Sequence, residues 1–332
     1  MRLLIIGLGS MGTRRIRNLL HLGYTEISGF DLRSDRREDA REKYGIEIYE
    51  NVDYAIDNFS PTALIISVPP DIHCYYVNLA VKRKINCFVE ASVTDSDELW
   101  KLSQEVESSD LIVAPSCTMK YYFGPKKVKN LVLSGLFGKP LNFTYHTGQY
   151  LPDWHPWENI KDFYVSTRET GGCREIVPFE LTWINDIFGY PNVISSIKSK
   201  LSDLDADIDD IYQISLSYPG RVLGSIIVDV LAKPEARREL FINLEKGQIV
   251  FSAHENCVRY IHEDNSNWSK EELAIGTLEY GYINPEEPYI NEMRDFIDAC
   301  KHANPRRFPN TMLNDWSILN LLSTIEAVST TL

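Results

Sequence analysis

Leu3-Leu4-Ile5-Ile6-Gly7-Leu8-Gly9-Ser10-Met11-Gly12-Thr13-Arg14-Arg15 reads as a buried strand, a glycine-rich turn and the start of a helix. Four apolar residues precede Gly7, Gly9 and Gly12 in the spacing G-x-G-x-x-G, and Arg14 to Leu22 has helical periodicity. In a dinucleotide site each glycine has a task. Gly7 permits the turn off the strand, Gly9 lets backbone approach a pyrophosphate, and Gly12 lets helix and strand pack closely. Ser10 and Met11 then lie at the helix start, whose N–H groups and dipole favour phosphate. The next apolar run, Glu26 to Phe30, ends in Asp31, 19 residues beyond Gly12. That is near the offset of about 20 residues at which an acid bonds an adenosine ribose. A carboxylate there accepts hydrogen bonds from both ribose hydroxyls and repels a 2′-phosphate, so NAD is expected ahead of NADP. Arg33 and Arg36 follow closely and would pair with such a phosphate if Asp31 turned away.

The pattern continues to about residue 120. Short apolar runs at Ile46–Tyr49, Ala63–Val68, Asn86–Glu90 and Leu111–Ala114 alternate with helical segments over Arg33–Tyr44, Asp53–Asn58, Asp71–Lys84 and Ser96–Ser108, the last with Asp95 as its expected cap. Such alternation predicts a doubly wound α/β unit with a parallel sheet and right-handed crossovers. Past Pro125 a helix at Lys126–Ser134 leads to period-two runs at Leu141–His146, Val193–Ser202, Asp209–Tyr218, Val222–Leu231, Arg238–Leu244 and Gln248–Phe251. Short turns such as Tyr218-Pro219-Gly220 join them, which predicts an α+β region with a large, mainly antiparallel sheet. Helices are expected over Pro288–His302 and Leu313–Thr330. One face of so large a sheet is expected to meet another subunit.

A formal charge of −13 and scattered lysines and arginines argue against nucleic acid or an anionic membrane as partner. The six cysteines follow no regular spacing and include no C-x-x-C pair. Reduced thiols in a cytoplasmic protein are expected, with no metal site. No apolar run approaches the roughly 18 residues of a membrane span.

The motif Gly7-Leu8-Gly9-Ser10-Met11-Gly12, the segment Val68-Pro69-Pro70-Asp71-Ile72-His73 and the run Phe88-Val89-Glu90 together resemble the Gfo/Idh/MocA oxidoreductases. So do Gly124-Pro125, Ser134-Gly135-Leu136-Phe137-Gly138-Lys139-Pro140 and Gly171-Gly172. The resemblance covers nearly the whole chain. It implies a Rossmann domain over residues 1–122 and a substrate-binding and oligomerisation domain over residues 123–332, with the C-terminal helices packing back. It also implies oxidation or reduction of a hydroxyl or carbonyl on a sugar, nucleotide sugar or cyclitol with NAD(H) or NADP(H), in a homodimer or homotetramer. Val68, Pro69, His73 and Glu90 join the glycines and Asp31 as expected cofactor contacts.

Two positions depart from the family pattern. Where its enzymes carry Glu-Lys-Pro, this chain has Glu90-Ala91-Ser92, so the lysine that orients substrate is absent. The histidine expected after Gly171-Gly172 falls on Glu180 or on Phe179, depending on register. Transfer of hydride still requires a group that exchanges the hydroxyl proton. Candidates are Glu180, if burial raises its pKa to about 6–7, His155 within Asp153-Trp154-His155-Pro156-Trp157-Glu158, Tyr122, and Lys120 as the nearest replacement cation. Tyr121, Trp154, Trp157, Tyr164 and Arg174 are candidate substrate contacts, with Tyr150 adding another aromatic face. Bland readings stand beside these: a turn fixed by Pro152 and Pro156, core packing for the aromatics, and a Glu180–Arg174 pair. Loss of both lysine and histidine also leaves open a protein that binds nucleotide and sugar without turning them over, as a sensor or scaffold.

Overall fold

The computed structural model describes residues 1–154, 159–162, 164–280, 282 and 284–331. The chain forms two compact units, residues 1–118 with 276–317, and residues 119–275 with 318–332. In the first, every residue of β1 (Leu3–Ile6) is fully buried, as a strand covered on both faces must be. Then come α1 (Ser10–His21), β2 (Ile27–Phe30), α2 (Ser34–Tyr44), β3 (Glu47–Tyr49), α3 (Val52–Phe59), β4 (Ala63–Ile66), α4 (His73–Arg83), β5 (Asn86–Val89), α5 (Ser96–Glu107) and β6 (Val113–Pro115). The strands lie all parallel in the order β3-β2-β1-β4-β5-β6. The order reverses between β1 and β4, beside the glycine turn, which is where an open parallel sheet binds its ligand. Asp95 sits at the cap of α5, but its backbone is left-handed (φ 60°) and its side chain makes no capping bond, so the expected cap is not made.

The second unit holds α6 (Phe123–Leu133), β7 (Pro140–Gly148), α7 (Cys173–Phe188), β8 (Asn192–Ser199), β9 (Ile211–Tyr218), β10 (Val222–Asp229), β11 (Arg237–Leu244), β12 (Gly247–Ser252), β13 (Cys257–His262) and β14 (Ser269–Glu272). Of the remaining helices, α8 (Glu287–His302) belongs to the first unit, and α9 (Met312–Val328) runs through the 317/318 boundary to β15 (Ser329–Thr330). The nine strands run β14-β13-β12-β11-β7-β10-β9-β8-β15, antiparallel except for the pairs β7–β10 and β8–β15. One face packs on α7: Phe143 stacks on Phe188 at 4.4 Å and Tyr145 meets Trp183 edge-on at 5.4 Å. The opposite face leaves Leu223 and Phe241 about half exposed. All six cysteines are free thiols. Among the described residues no helix is long and apolar enough to cross a membrane.

Candidate active site

The nucleotide cradle is built from the turn after β1. Gly7 has φ +90°, and a Cβ there would stand 2.5 Å from the Ser67 carbonyl oxygen; a Cβ on Gly12 would stand 1.8 Å from the Gly7 carbonyl oxygen. Gly9 takes the N-cap position of α1 and brings no side chain into the space before Ser10 and Met11. The helix N-terminus there keeps its N–H groups for a ligand. Asp31 turns toward this loop. Its Oδ2 accepts the Leu8 N–H at 2.8 Å and its Oδ1 the Arg33 N–H at 2.9 Å, which leaves a lone pair on each oxygen for ribose hydroxyls. The Arg33 guanidinium pairs with Asp35 instead, and Arg36 lies 3.8 Å from Asp31 Oδ2 and close over Gly9. The condition under which these arginines would take a 2′-phosphate, an Asp31 turned away, is therefore not met.

Val68 and Pro69 line the next crossover, where the Val68 carbonyl accepts from His73 Nε2 at 2.8 Å. Burial pushes the His73 imidazole below its usual pKa, and among the described residues its Nδ1 has no hydrogen-bond partner. Glu90 is engaged from behind: Arg15 donates to both its oxygens at 2.9 Å, and Ser67 Oγ lies at 3.2 Å. Arg15, wholly buried, also lies 3.0 Å from Glu292 on α8, close enough for an ion pair though not aligned as a hydrogen bond. Glu292 in turn accepts from Cys117 N, Thr118 Oγ1 and Ser116 Oγ. Glu90 thus anchors the strand ends as one arm of a buried charge network.

Behind Ser92, the last residue of Glu90-Ala91-Ser92, sits Asp315. It accepts from the Ser92 backbone and hydroxyl, and burial pushes its carboxyl up to about 7. A carboxyl that holds its proton more tightly folded than unfolded loses stability as pH rises from about 4 to 7. Asp315→Asn keeps an acceptor for Ser92 and cannot ionise. The variant should unfold at higher denaturant than the parent at pH 8, by on the order of 2 kcal/mol, and show little gain at pH 5. An equal effect at both pH values would refute ionisation of Asp315 as the cause.

In the second unit, Glu180 is fully buried. Its oxygens accept from Tyr145 OH at 2.6 Å, Trp183 Nε1 at 2.7 Å and Arg238 Nη2 at 2.8 Å. Tyr122 is near enough to Arg238 to act on its charge. A carboxylate so enclosed presents nothing to a substrate; its partner is Arg238, not Arg174. Arg174 ties α7 to α9 through Glu326 at 2.8 Å. Lys120 lies 3.7 Å from Asp186, which Lys129 also holds. Tyr121 is half-buried beside it, and the buried indole N–H of Trp154 has no partner among the described residues. Tyr150 carries Lys233 over its ring at 5.1 Å. His155 and Trp157 lie outside the described residues.

Two features escaped the sequence reading. His146 Nε2 donates to Asp229 at 2.6 Å. Burial pushes the Asp229 carboxyl up, but donation from His146 and from the Leu231 and Ala232 N–H groups outweighs it and leaves the group below its usual range. The second is Glu175, in the first turn of α7. Tyr164 OH donates to its Oε1 at 2.7 Å, and burial pushes its carboxyl up to about 7 against the pull of that bond. An acid in the first turn after Gly171-Gly172 was the available signal. Among the described residues no group of three or more His, Cys, Asp or Glu is arranged to hold a metal ion.

Comparison with known proteins adds to this geometry. Residues 1–116 match the family model described as an oxidoreductase family with an NAD-binding Rossmann fold, and residues 126–250 match the GFO/IDH/MocA C-terminal domain. The chain belongs to the GFO/IDH/MocA oxidoreductases. No curated protein matches it by sequence. Among solved structures, an oxidoreductase from Agrobacterium radiobacter in complex with NAD+, L-tartaric acid and magnesium is 13% identical, with 97% of this chain and 94% of that chain covered at a TM-score of 0.85. Levoglucosan dehydrogenase in complex with NADH and L-sorbose is 13% identical over 99% and 96%, at 0.83. UDP-N-acetylglucosamine 3-dehydrogenase from Acidithiobacillus ferrooxidans is 14% identical over 99% and 97%, at 0.78. At such identities the likeness is one of fold. Within this GFO/IDH/MocA chain, Ala91 offers neither donor nor charge, and both Phe179 and Glu180 lie on α7 without a histidine between Gly172 and Gly189.

Proposed function

We propose that the protein is an NAD-dependent dehydrogenase or reductase acting on a hydroxyl or carbonyl of a sugar, nucleotide sugar or cyclitol. The observation that carries this reading is the glycine turn with the Asp31 carboxylate held beside it by the Leu8 N–H. Gly7, Gly9, Ser10, Met11 and Gly12 would hold the pyrophosphate, and Asp31 the adenosine ribose. The bound nicotinamide supplies the hydride acceptor or donor. Names among the structural relatives, levoglucosan dehydrogenase and UDP-N-acetylglucosamine 3-dehydrogenase, support a polyhydroxylated substrate. In the second unit Lys120 and Tyr122 remain candidates for the proton-exchanging group and Tyr121 and Trp154 for substrate contact; His155 and Trp157, candidates for the same two roles, lie outside the described residues. The half-exposed Leu223 and Phe241 support a second copy of the chain against the open face of the large sheet; sedimentation equilibrium reads it directly.

NADH fluorescence titration should show saturable binding, tighter than that of NADPH by tenfold or so, since a carboxylate at the ribose repels the extra phosphate. A flat response at millimolar NADH would end the nucleotide reading. A screen of aldoses, alditols, cyclitols and nucleotide sugars at the nicotinamide absorbance band then separates an enzyme from a sensor that binds without turnover. That second reading is favoured by Ala91 and by the enclosure of Glu180.

A further inference from the structure

At the edge of the parallel sheet, β3 and the turn after it enclose a cavity of about 580 Å³ against α2. Arg37 and Arg41 line it from α2, Ile48 and Tyr49 from β3, and Glu50 and Tyr54 from the turn and the first turn of α3. The Tyr54 ring is 60% exposed and meets the buried Tyr49 edge-on at 5.9 Å. Asn51 Oδ1 accepts the Tyr54 N–H at 2.8 Å, which fixes the backbone from which that ring projects.

Arg37 and Arg41 stand one turn apart on the same face of α2, an arrangement of like charges that disfavours a helix. Arg36 points about 100° away from Arg37, toward Gly9 and Asp31, so the cavity is separate from the ribose acid's own side of the helix. A chain with a net charge of −13 has acids to spare for two guanidinium groups. Yet among the described residues Arg41 has no carboxylate partner, and the one acid paired with Arg37 is Glu50, at 3.6 Å and 81% exposed. The cavity thus presents two cations and a flat apolar wall, with one loosely held carboxylate in the place of an anion.

We propose that this cavity is an effector site for a phosphomonoester carried on a flat ring. A phosphate brings close to two negative charges and three acceptor oxygens, enough to bridge both guanidinium groups, whereas the single charge of Glu50 engages Arg37 alone. The ring lies against Tyr54 and Ile48, and Glu50 swings out to solvent. The site is tied to the nucleotide cradle through Arg37, whose Nη1 donates to the Asp31 carbonyl at 3.0 Å and the Leu32 carbonyl at 2.8 Å. A bound dianion draws Arg37 from these carbonyls and cancels positive charge that favours a pyrophosphate nearby, so occupancy weakens NADH binding. By linkage NADH weakens the effector by the same factor. The site stands apart from the dehydrogenase reading; its effect on NADH rests on that reading.

Calorimetric titration of the full chain with phenyl phosphate tests the assignment and should show saturable binding with a Kd on the order of 10⁻⁴ M. Inorganic phosphate, which lacks the ring, and benzoate, which lacks the second charge, should each bind roughly tenfold more weakly. Arg41→Ala should lose roughly tenfold in affinity for phenyl phosphate, Tyr54→Ala should lose the advantage over inorganic phosphate, and Glu50→Gln should bind more tightly because the internal carboxylate no longer competes. Lys43→Ala removes a cation of the same helix from outside the cavity and should change nothing. With rising phenyl phosphate the Kd for NADH should increase about fivefold and then level off, as coupling between two sites requires. No saturable binding by the parent, or equal losses in Arg41→Ala and Lys43→Ala, overturns the site. A Kd for NADH that never levels off places the ligand in the nucleotide cradle, and one that does not change removes the effector role. Parent protein that binds phenyl phosphate with the expected variant pattern but binds no NADH removes the nucleotide reading and supports the site.

Discussion

Gly12→Ala is expected to abolish saturable NADH binding and to cost about 1–3 kcal/mol of stability. The new methyl would stand 1.8 Å from the Gly7 carbonyl oxygen, with that residue's carbonyl carbon at 2.9 Å, so it meets backbone rather than a side chain able to swing aside. Gly12 is helical, and its left-handed freedom is not at issue. What the methyl removes is the close approach of α1 to the end of β1. The helix has to lift away, taking with it the N–H groups of Ser10 and Met11 and the turn that aligns Leu8 with Asp31. Gly45→Ala separates this from a general glycine effect. Gly45 has φ +63° and open space around its Cβ position, so alanine there pays only for the left-handed backbone, about 1–2 kcal/mol, and should leave NADH affinity untouched. Equal losses of affinity in both variants, or full binding by Gly12→Ala, would show that the turn does not hold the nucleotide.

Much of this cradle was legible because its signals are local. Buried branched runs mark β1 and β4, the glycine spacing marks a turn with little room, and Asp31 ends the strand next to β1. Period-two alternation likewise revealed β7 to β12. It failed at β13 and β14, where Cys257–His262 is only partly covered and Ser269-Lys270-Glu271-Glu272 is an almost wholly polar edge, so neither shows a clean alternation. Periodicity also says nothing about which sheet a helix covers; α8, far along the chain, belongs to the first unit.

Charged side chains were harder still, because their partners are set by tertiary packing. Arg14, Arg15 and Arg17 count in the sequence among its scattered cations, yet Arg14 and Arg17 both reach Glu286, and Arg15 is wholly buried. Glu180 read as a base, but Arg238, 58 residues away, claims it. Along the acidic stretch from Asp203 to Asp210 the partners are likewise set by packing. In the structure Lys161 and Arg168 pair with Asp205 and Asp207, Arg168 and Lys198 share Asp209, and Asp210 receives backbone N–H groups.

The Arg15 network yields the largest expected effect on stability. Arg15→Met removes the cation that pairs with both Glu90 and Glu292 while keeping most of the side-chain volume, and should cost about 3–5 kcal/mol near pH 8. In the parent, burial works against the Arg15 charge, but the two carboxylates outweigh it and hold the guanidinium above its usual pKa; burial pushes Glu292 up even with Arg15 pulling it down. Without that pull, Glu292 holds its proton still more tightly folded than unfolded. Stability contributed by its neutral form is then present below the unfolded carboxyl pKa and lost as pH rises through the folded value. The deficit of Arg15→Met against the parent should therefore shrink at pH 5 and widen toward pH 8, read from urea midpoints at the two pH values. Adding Glu292→Gln should return part of the loss at pH 8, because the amide removes the fully buried one of the two unpaired charges and leaves the half-buried Glu90. A deficit that is small and indifferent to pH, with no recovery in the double variant, would mean that solvent reaches these carboxylates and that the ends of β5, β6 and α8 are joined by packing rather than by charge.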